Sequence, residues 1–179
     1  RLLAGCAPCQ PFSSYANTAT VDKAKWRLLR EFARLVAECE PDLVTMENVP
    51  RLQQAAPFKD FLRALKRGKY HVDYSVVNAA DYGAPQQRKR LVLVASRLGP
   101  VAVPEPTHKG PANWVTVRKA VGHLATLEDG QTSKEDPLHV ASTLSDLNRA
   151  RIRASKPGGT WRDWPPQLVA ACHQRESGK

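Results

Sequence analysis

Apolar positions that recur every three or four residues predict two helices in the first part of the chain. One stripe runs from Trp26 to Val36 and predicts a helix between a cap at Asp22 and about Cys39. The same spacing over residues 57–67, followed by a glycine, predicts a second helix. Each helix presents one apolar face, so both are expected to pack on a common core.

Three short apolar runs predict strands, at residues 2–4, 43–46 and 91–95. Over residues 70–76 apolar and polar side chains alternate, which predicts a half-buried fourth strand. The short turn between the last two favours an antiparallel pair over a helical crossover. The order strand–helix–strand–helix–strand–strand therefore predicts an α/β fold whose sheet is mostly parallel, with one antiparallel strand near an edge. In such sheets ligands bind at the carboxyl ends of the strands, where Cys9 and Glu47 lie.

The regular alternation of predicted strands and helices ends after Arg97. Four prolines between residues 100 and 111 mark an irregular connector, and residues 128–137 are polar and loop-like. Thr116 is predicted to cap one short helix, and Ser145 is predicted to cap another that reaches about Ala154.

Composition limits the class of protein. With 179 residues the chain is long enough for one ordinary domain, and its four cysteines do not make a disulfide scaffold, which favours a reducing cytoplasm. The longest apolar run, 91–95, is too short to cross a bilayer, and no signal-peptide pattern opens the chain. Because it begins at Arg1 rather than Met, we expect a piece of a longer protein.

The charge of the chain favours a polyanionic partner. Lys and Arg number 27 and Asp and Glu 17, so the net charge is 27 − 17 = +10. Residues 147–162 contain several basic side chains and no acidic one. On charge alone, this stretch is either a solvated basic face or a surface for nucleic acid.

Residues 5–13 read GCAPCQPFS and raise a question about their two cysteines. A structural zinc site needs a second pair of ligands at suitable spacing, and the sequence offers none. A thioredoxin-like redox pair would attack through Cys6 from a helix start, yet a proline-rich loop follows here. An inert buried cysteine does not suit a loop stiffened by Pro8 and Pro11. A single nucleophile at Cys9, held in one direction by these prolines, explains the loop better.

Three motifs point to one family. APCQPFS at 7–13, ENVP at 47–50 and YGAPQQRKR at 82–90 together resemble signature blocks of the DNA (cytosine-5)-methyltransferases. These blocks are Pro-Cys-Gln, Glu-Asn-Val and Gln-x-Arg-x-Arg, and they stand in the family's order. The resemblance covers residues 1–98 well. It implies that 1–98 form the C-terminal half of a Rossmann-like catalytic methyltransferase domain, and that 99–179 form a connector and the start of the target-recognition region.

The resemblance implies a role for each matching residue. Cys9 would be the nucleophile that adds to carbon 6 of cytosine, and Glu47 would protonate or hydrogen-bond N3. Arg90 would contact the cytosine O2 and orient Glu47, while Arg88 would support the Cys9 loop. The alternatives are a structural hydrogen bond for Glu47 and non-specific phosphate binding for the arginines. The remaining residues expected to bind the DNA or the base are Pro8, Gln10, Ser13 and Asn48.

The resemblance also implies S-adenosylmethionine as the methyl donor, no metal, and double-stranded DNA from which the cytosine is flipped. A cognate restriction endonuclease would complete a restriction-modification system in the bacterial cytoplasm, where the enzyme would reach the nucleoid through DNA. No membrane is implied. The chain has no Gly-x-Gly turn, so the main cofactor-binding residues are expected outside it. We therefore expect the 179 residues alone not to methylate DNA.

Three other interpretations stay open. A tRNA cytosine-5 methyltransferase of the same family shares two of the blocks, but its Cys-Phe-Thr segment is not found here. A catalytically inactive homologue could serve as a binding module, although Cys9, Glu47, Arg88 and Arg90 are all intact. A Cys-x-x-Cys redox or metal protein would require Cys6 as much as Cys9.

Overall fold

The computed structural model describes residues 1–6 and 27–174, with the side chain of Arg27 left out. The chain divides into two compact units, Arg1–Gly122 and His123–Lys179. The predicted cap at Asp22 and the predicted loop residues Pro8, Cys9, Gln10 and Ser13 lie outside the described residues. The functional division at residue 98 is a separate question that compactness does not test, and it stays a prediction.

The first unit contains a four-stranded sheet in the order β1-β2-β4-β3. The strands are β1 (Leu2–Gly5), β2 (Leu43–Asn48), β3 (His71–Asn78) and β4 (Lys89–Ser96). β1 and β2 are parallel, whereas β4 runs antiparallel to both of its neighbours, β2 and β3. Three strands thus share one direction and the fourth is reversed, which confirms the predicted fold class and the antiparallel pairing of the last two strands.

Two helices cover one face of this sheet. They are α1 (Arg27–Cys39) and α2 (Ala56–Arg67), and they pack against each other through Phe32 and Phe61, whose ring centroids lie 5.4 Å apart. Because side chains alternate along a strand, every second residue of β2 and β4 faces these helices. The buried core consists of those residues, the helical stripes, and two residues from the connecting turns, Leu52 and Tyr70: Leu29, Phe32, Val36, Val44, Met46, Leu52, Phe58, Phe61, Leu65, Tyr70, Leu91, Leu93 and Ala95. The predicted core faces of both helices are confirmed over the described residues.

The prediction for β3 holds only in part. Val72 packs on the core as the alternation requires, but Tyr74 and Val76 are each 37% exposed. β3 is an edge strand, and Phe58 of the helical layer contacts Tyr74 edge-on, at 5.2 Å between ring centroids. The position of a strand within the sheet, which alternation does not reveal, decides this difference.

The proline-rich connector folds back onto the first unit. The amide of Val103 donates a hydrogen bond to Asp73 Oδ2 at 2.7 Å, and the indole Nε1 of Trp114 donates to Asp81 Oδ1 at 2.7 Å. The predicted helix after the connector is α3 (Val117–Val121), and Thr116 caps it by accepting from the amide of Lys119 at 3.1 Å. These bonds explain why the first unit extends to Gly122.

Among its described residues, the second unit holds two α-helices, α4 (Asp146–Ala154) and α5 (Ala171–Gln174). Ser145 caps α4 as predicted, accepting from the amide of Asn148 at 3.4 Å. Within the described parts of the chain, no helix is both long and apolar enough to cross a membrane.

Candidate active site

Glu47 and Asn48 end the second strand and point in opposite directions. Asn48 faces the helices, is 2% exposed, and accepts a hydrogen bond from the amide of Val49 at 2.9 Å. Glu47 therefore projects from the open face of the sheet, the one that α1 and α2 do not cover. Val49 is still extended, but Pro50 has no N–H to donate to the sheet and begins a turn over Pro50–Gln54, so the strand ends here.

The reversed strand brings Arg90 to Glu47. In the antiparallel register Glu47 is opposite Val92, so Arg90 is its diagonal neighbour on the same face. Arg90 Nε lies 2.6 Å from Glu47 Oε1, and Arg90 Nη1 donates to the carbonyl oxygen of Lys89 at 2.7 Å. The Arg90 side chain is 23% exposed and that of Glu47 is 43% exposed. This pair is half-buried, so solvent screens it only partly and it remains open to a ligand.

Cys6 completes the cluster. β1 pairs in parallel with β2, and Gly5 lies beside Met46, so the next residue, Cys6, lies beside Glu47. Its Sγ is 3.2 Å from Glu47 Oε2. The hypotheses of a zinc ligand or a redox partner at Cys6 did not predict this contact. The contact follows from the alignment of the ends of β1 and β2, and that alignment is known only once the register of the two strands is known.

Gly5 is needed for the packing just before this cluster. A Cβ atom at this position would lie 2.5 Å from Cε2 of Phe32, far inside van der Waals contact. Phe32 is itself 8% exposed and held against Phe61. The absence of a side chain at Gly5 thus allows α1 to lie close to the strand that carries Cys6.

Arg88 is positioned through its backbone. Its amide donates to Asn78 Oδ1 at 3.0 Å, and its carbonyl oxygen accepts from the amide of Ala79 at 2.9 Å. Its side chain is exposed, and among the described residues none forms an ion pair with the guanidinium. The structure therefore brings together Glu47 and Arg90 but not Arg88. The expected contact of Arg88 with the Cys9 loop falls on residues outside the described range.

Part of the basic stretch 147–162 is paired within the protein. Arg149 Nη1 lies 2.8 Å from Asp129 Oδ2, and its other terminal nitrogen contacts Asp146; hydrogen bonds to these two carboxylates raise the pKa of Arg149. Arg151 Nε donates to the carbonyl oxygen of Leu168 at 2.7 Å. Both acidic partners lie outside residues 147–162, so the stretch alone did not reveal these pairs. Basic side chains that stay exposed in the stretch are Arg153, Lys156 and Arg162.

A separate cavity of about 410 Å³ lies between the last turns of α1 and α2. Val36, Leu65 and Tyr70 line it, together with Arg97, which directly follows β4. Arg97 and Tyr70 lie at the end of the sheet where β2 begins, whereas Glu47 lies at the opposite end, near the last residue of β2. This cavity is not the site of Glu47. The described residues also contain no group of three or more His, Cys, Asp or Glu side chains placed to hold a metal ion.

The fold is that of a methyltransferase domain. The chain is similar to a crystal structure of a prophage-encoded DNA modification methyltransferase from E. coli, with a TM-score of 0.54 and 25% identity over 75% of this chain and 38% of that one. The model of the C-5 cytosine-specific DNA methylases matches residues 1–176. The chain belongs to this family.

Curated relatives agree with this assignment. The chain is 48% identical over 182 residues to the type II methylase M.HgiDII of Herpetosiphon aurantiacus, covering 100% of this chain and 51% of the relative. It is 39% identical over 174 residues to the type II methyltransferase M.AquIA of a Picosynechococcus species, covering 81% of this chain and 67% of the relative. The chain thus spans about half the length of M.HgiDII.

Proposed function

We propose that this chain carries the base chemistry of a DNA (cytosine-5)-methyltransferase, which transfers a methyl group from S-adenosylmethionine to carbon 5 of a flipped cytosine in duplex DNA. The contact between Arg90 Nε and Glu47 Oε1 at 2.6 Å carries the proposal, because it puts a carboxyl group and a fixed cation side by side at a strand end. Membership of the family supports it.

Carbon 5 of cytosine is too weak a nucleophile to take a methyl group directly. The reaction therefore needs a nucleophile from the protein that first activates the ring. When the thiolate of Cys9 bonds to carbon 6, the electron pair of the C5–C6 double bond moves through the ring towards N3. A proton supplied or shared at N3 leaves an enamine whose carbon 5 can attack a methyl group. Loss of the C5 proton to water then restores the C5–C6 double bond and expels the thiolate, and N3 gives its added proton back to the carboxylate.

Glu47 and Arg90 are the proposed groups for the step at N3. The open face of the sheet leaves Glu47 accessible, and its carboxyl group would hold the proton at N3. Arg90 would hold Glu47 through Nε and use its remaining N–H groups on the cytosine O2. A guanidinium suits this double role because it presents five donors in a rigid plane. Asn48 would contribute by fixing the end of the strand.

S-adenosylmethionine supplies the methyl group when bound, but the residues of this chain do not provide its main site. No Gly-x-Gly turn is present in the sequence, and in the described parts of the chain the loop after β2 is a proline-initiated turn. We therefore assign no residue of this chain to the cofactor and derive no step from it.

Double-stranded DNA is the proposed partner. The net charge of +10 and the exposed Arg153, Lys156 and Arg162 suit contact with phosphates, which would position residues 99–179 as the start of a target-recognition region. Because the relatives are named as type II methylases and methyltransferases, we also propose a cognate restriction endonuclease and a bacterial cytoplasmic enzyme that associates with the nucleoid through DNA.

Covalent trapping on DNA that carries 5-fluorocytosine tests this function. The fluorine at carbon 5 cannot leave as the proton does, so the bond between the thiol and carbon 6 persists. In the complete coding sequence that contains these residues, Cys9→Ser is expected to abolish the trapped complex on a denaturing gel. Cys6→Ser, the matched variant three residues earlier in the sequence, is expected to keep it. Equal loss from both variants would favour a redox pair over this proposal.

A further inference from the structure

Both oxygens of the Glu47 carboxylate have partners within the chain. Arg90 Nε holds Oε1 at 2.6 Å, and the thiol of Cys6 lies 3.2 Å from Oε2. The two contacts come from opposite sides, since β1 and β4 flank β2. From this geometry we infer that Cys6 is a positioning residue for Glu47. The inference rests on the proposed function.

The second contact matters because the last torsion of a glutamate is soft. A rotation about this sp³–sp² bond has broad wells, so a carboxylate held at one oxygen can still swing its other oxygen. An ionised carboxylate only accepts hydrogen bonds, and the thiol is the donor that faces Oε2. With Arg90 on one oxygen and Cys6 on the other, the plane of the Glu47 carboxylate is fixed before the base arrives.

The two partners differ in strength, which gives them different roles. The bond from Arg90 is charge-assisted and short, whereas a thiol is a weak donor. When N3 of the base needs an oxygen of Glu47, the contact at Oε2 is therefore the easier one to exchange. Cys6 therefore holds Oε2 before the base binds and releases it when N3 arrives, while Arg90 stays bound to Oε1.

A purely structural role for Cys6 is not supported by its surroundings. Its side chain is exposed, so shortening it leaves no buried cavity. The core beneath is closed by Gly5 and Phe32 on the other face of β1. The effect of changing Cys6 should accordingly appear in the chemical step and leave the stability of the fold unchanged.

Single-turnover methylation by the protein expressed from the complete coding sequence tests the inference. Cys6→Ala is expected to lower the rate of methyl transfer about three- to tenfold, the range of one modest hydrogen bond, with KM for DNA and the melting temperature unchanged. Cys6→Ser retains a donor and is expected to stay within about twofold of the wild type. Cys39→Ala, which changes an exposed cysteine at the end of α1, is the matched control and should have no effect.

A double-mutant cycle separates action through Glu47 from any other effect. In a Glu47→Gln background, Cys6→Ala should change the rate less than about twofold, because the carboxylate it positions is gone. A full effect in that background, an unimpaired Cys6→Ala enzyme, or a Cys6→Ser enzyme as slow as Cys6→Ala would each overturn the inference. If instead the wild type forms no adduct with 5-fluorocytosine DNA, the proposed function itself fails.

Discussion

Replacing Arg90 with methionine would test the central pair most directly. The change keeps the length of the side chain and its packing along β4 but removes the guanidinium that contacts Glu47 at 2.6 Å. The carboxylate would then lose its charge-assisted hydrogen bond at Oε1, and the cytosine O2 would lose its proposed donor. Methyl transfer should slow strongly while the fold persists.

The expected size of each effect follows from exposure. Because the Glu47 side chain is 43% exposed and that of Arg90 is 23% exposed, solvent screens the pair and its contribution to folding is about 0.2–1 kcal/mol. In the transition state the same guanidinium would face growing charge on the ring, where a hydrogen bond to a charged group is worth about 1.5–3 kcal/mol. That corresponds to roughly a 10- to 150-fold loss of kcat/KM.

The assay pairs single-turnover methylation of a cytosine-containing duplex with thermal unfolding. Arg34→Met is the matched control, because Arg34 is an exposed arginine on α1 that pairs with Glu31 and Glu38. Both variants lose one positive charge and one surface network, so they should lose similar stability, but only Arg90→Met should lose activity. Comparable rates for the two variants would refute the assignment of Arg90 to the base chemistry.

Two further predictions concern the fold. Gly5→Ala should destabilise the protein by about 1–3 kcal/mol in urea unfolding, because the new Cβ would overlap the buried ring of Phe32, and the loss should shrink in a Phe32→Leu background. Burial raises the pKa of Tyr70, with Arg97 opposing, so the neutral phenol is favoured on folding. The stability that comes from the neutral phenol is complete below the unfolded pKa of about 10 and is lost as the pH rises above it. Tyr70→Phe should therefore flatten the fall of the unfolding free energy in that range. The variant should also lose about 1 kcal/mol, because the hydroxyl no longer donates to the carbonyl oxygen of Pro41. An unchanged alkaline slope, or a Gly5→Ala protein as stable as the wild type, would contradict these statements.

The sequence was sufficient for features that depend on local patterns. The stripes of α1 and α2, the caps at Thr116 and Ser145, and the reversed pairing of the last two strands follow from spacing and turn chemistry, and the structure confirms them. The proximity of Glu47 and Arg90 was implied by family motifs. The structure brings them together, while their roles stay proposals.

Features that depend on register or on distant residues were not predictable. Cys6 meets Glu47 only because β1 and β2 are aligned residue by residue, and periodicity alone does not set that alignment. Arg149 is paired with Asp129, which is 20 residues earlier in a loop that carries no periodic signal. The exposure of Tyr74 likewise depends on the edge position of β3.

The opposite direction of β4 links the geometry of the proposed site to correct folding of the sheet. A slip of one residue between β2 and β4 would turn Arg90 towards the helices and expel Leu91 and Leu93, which are now fully enclosed, into water. A register that separates Arg90 from Glu47 is therefore penalised by the hydrophobic interior during folding. Core packing thus selects the geometry that the proposed function requires, and mutations that loosen the interior of the sheet are expected to lower activity before they unfold the protein.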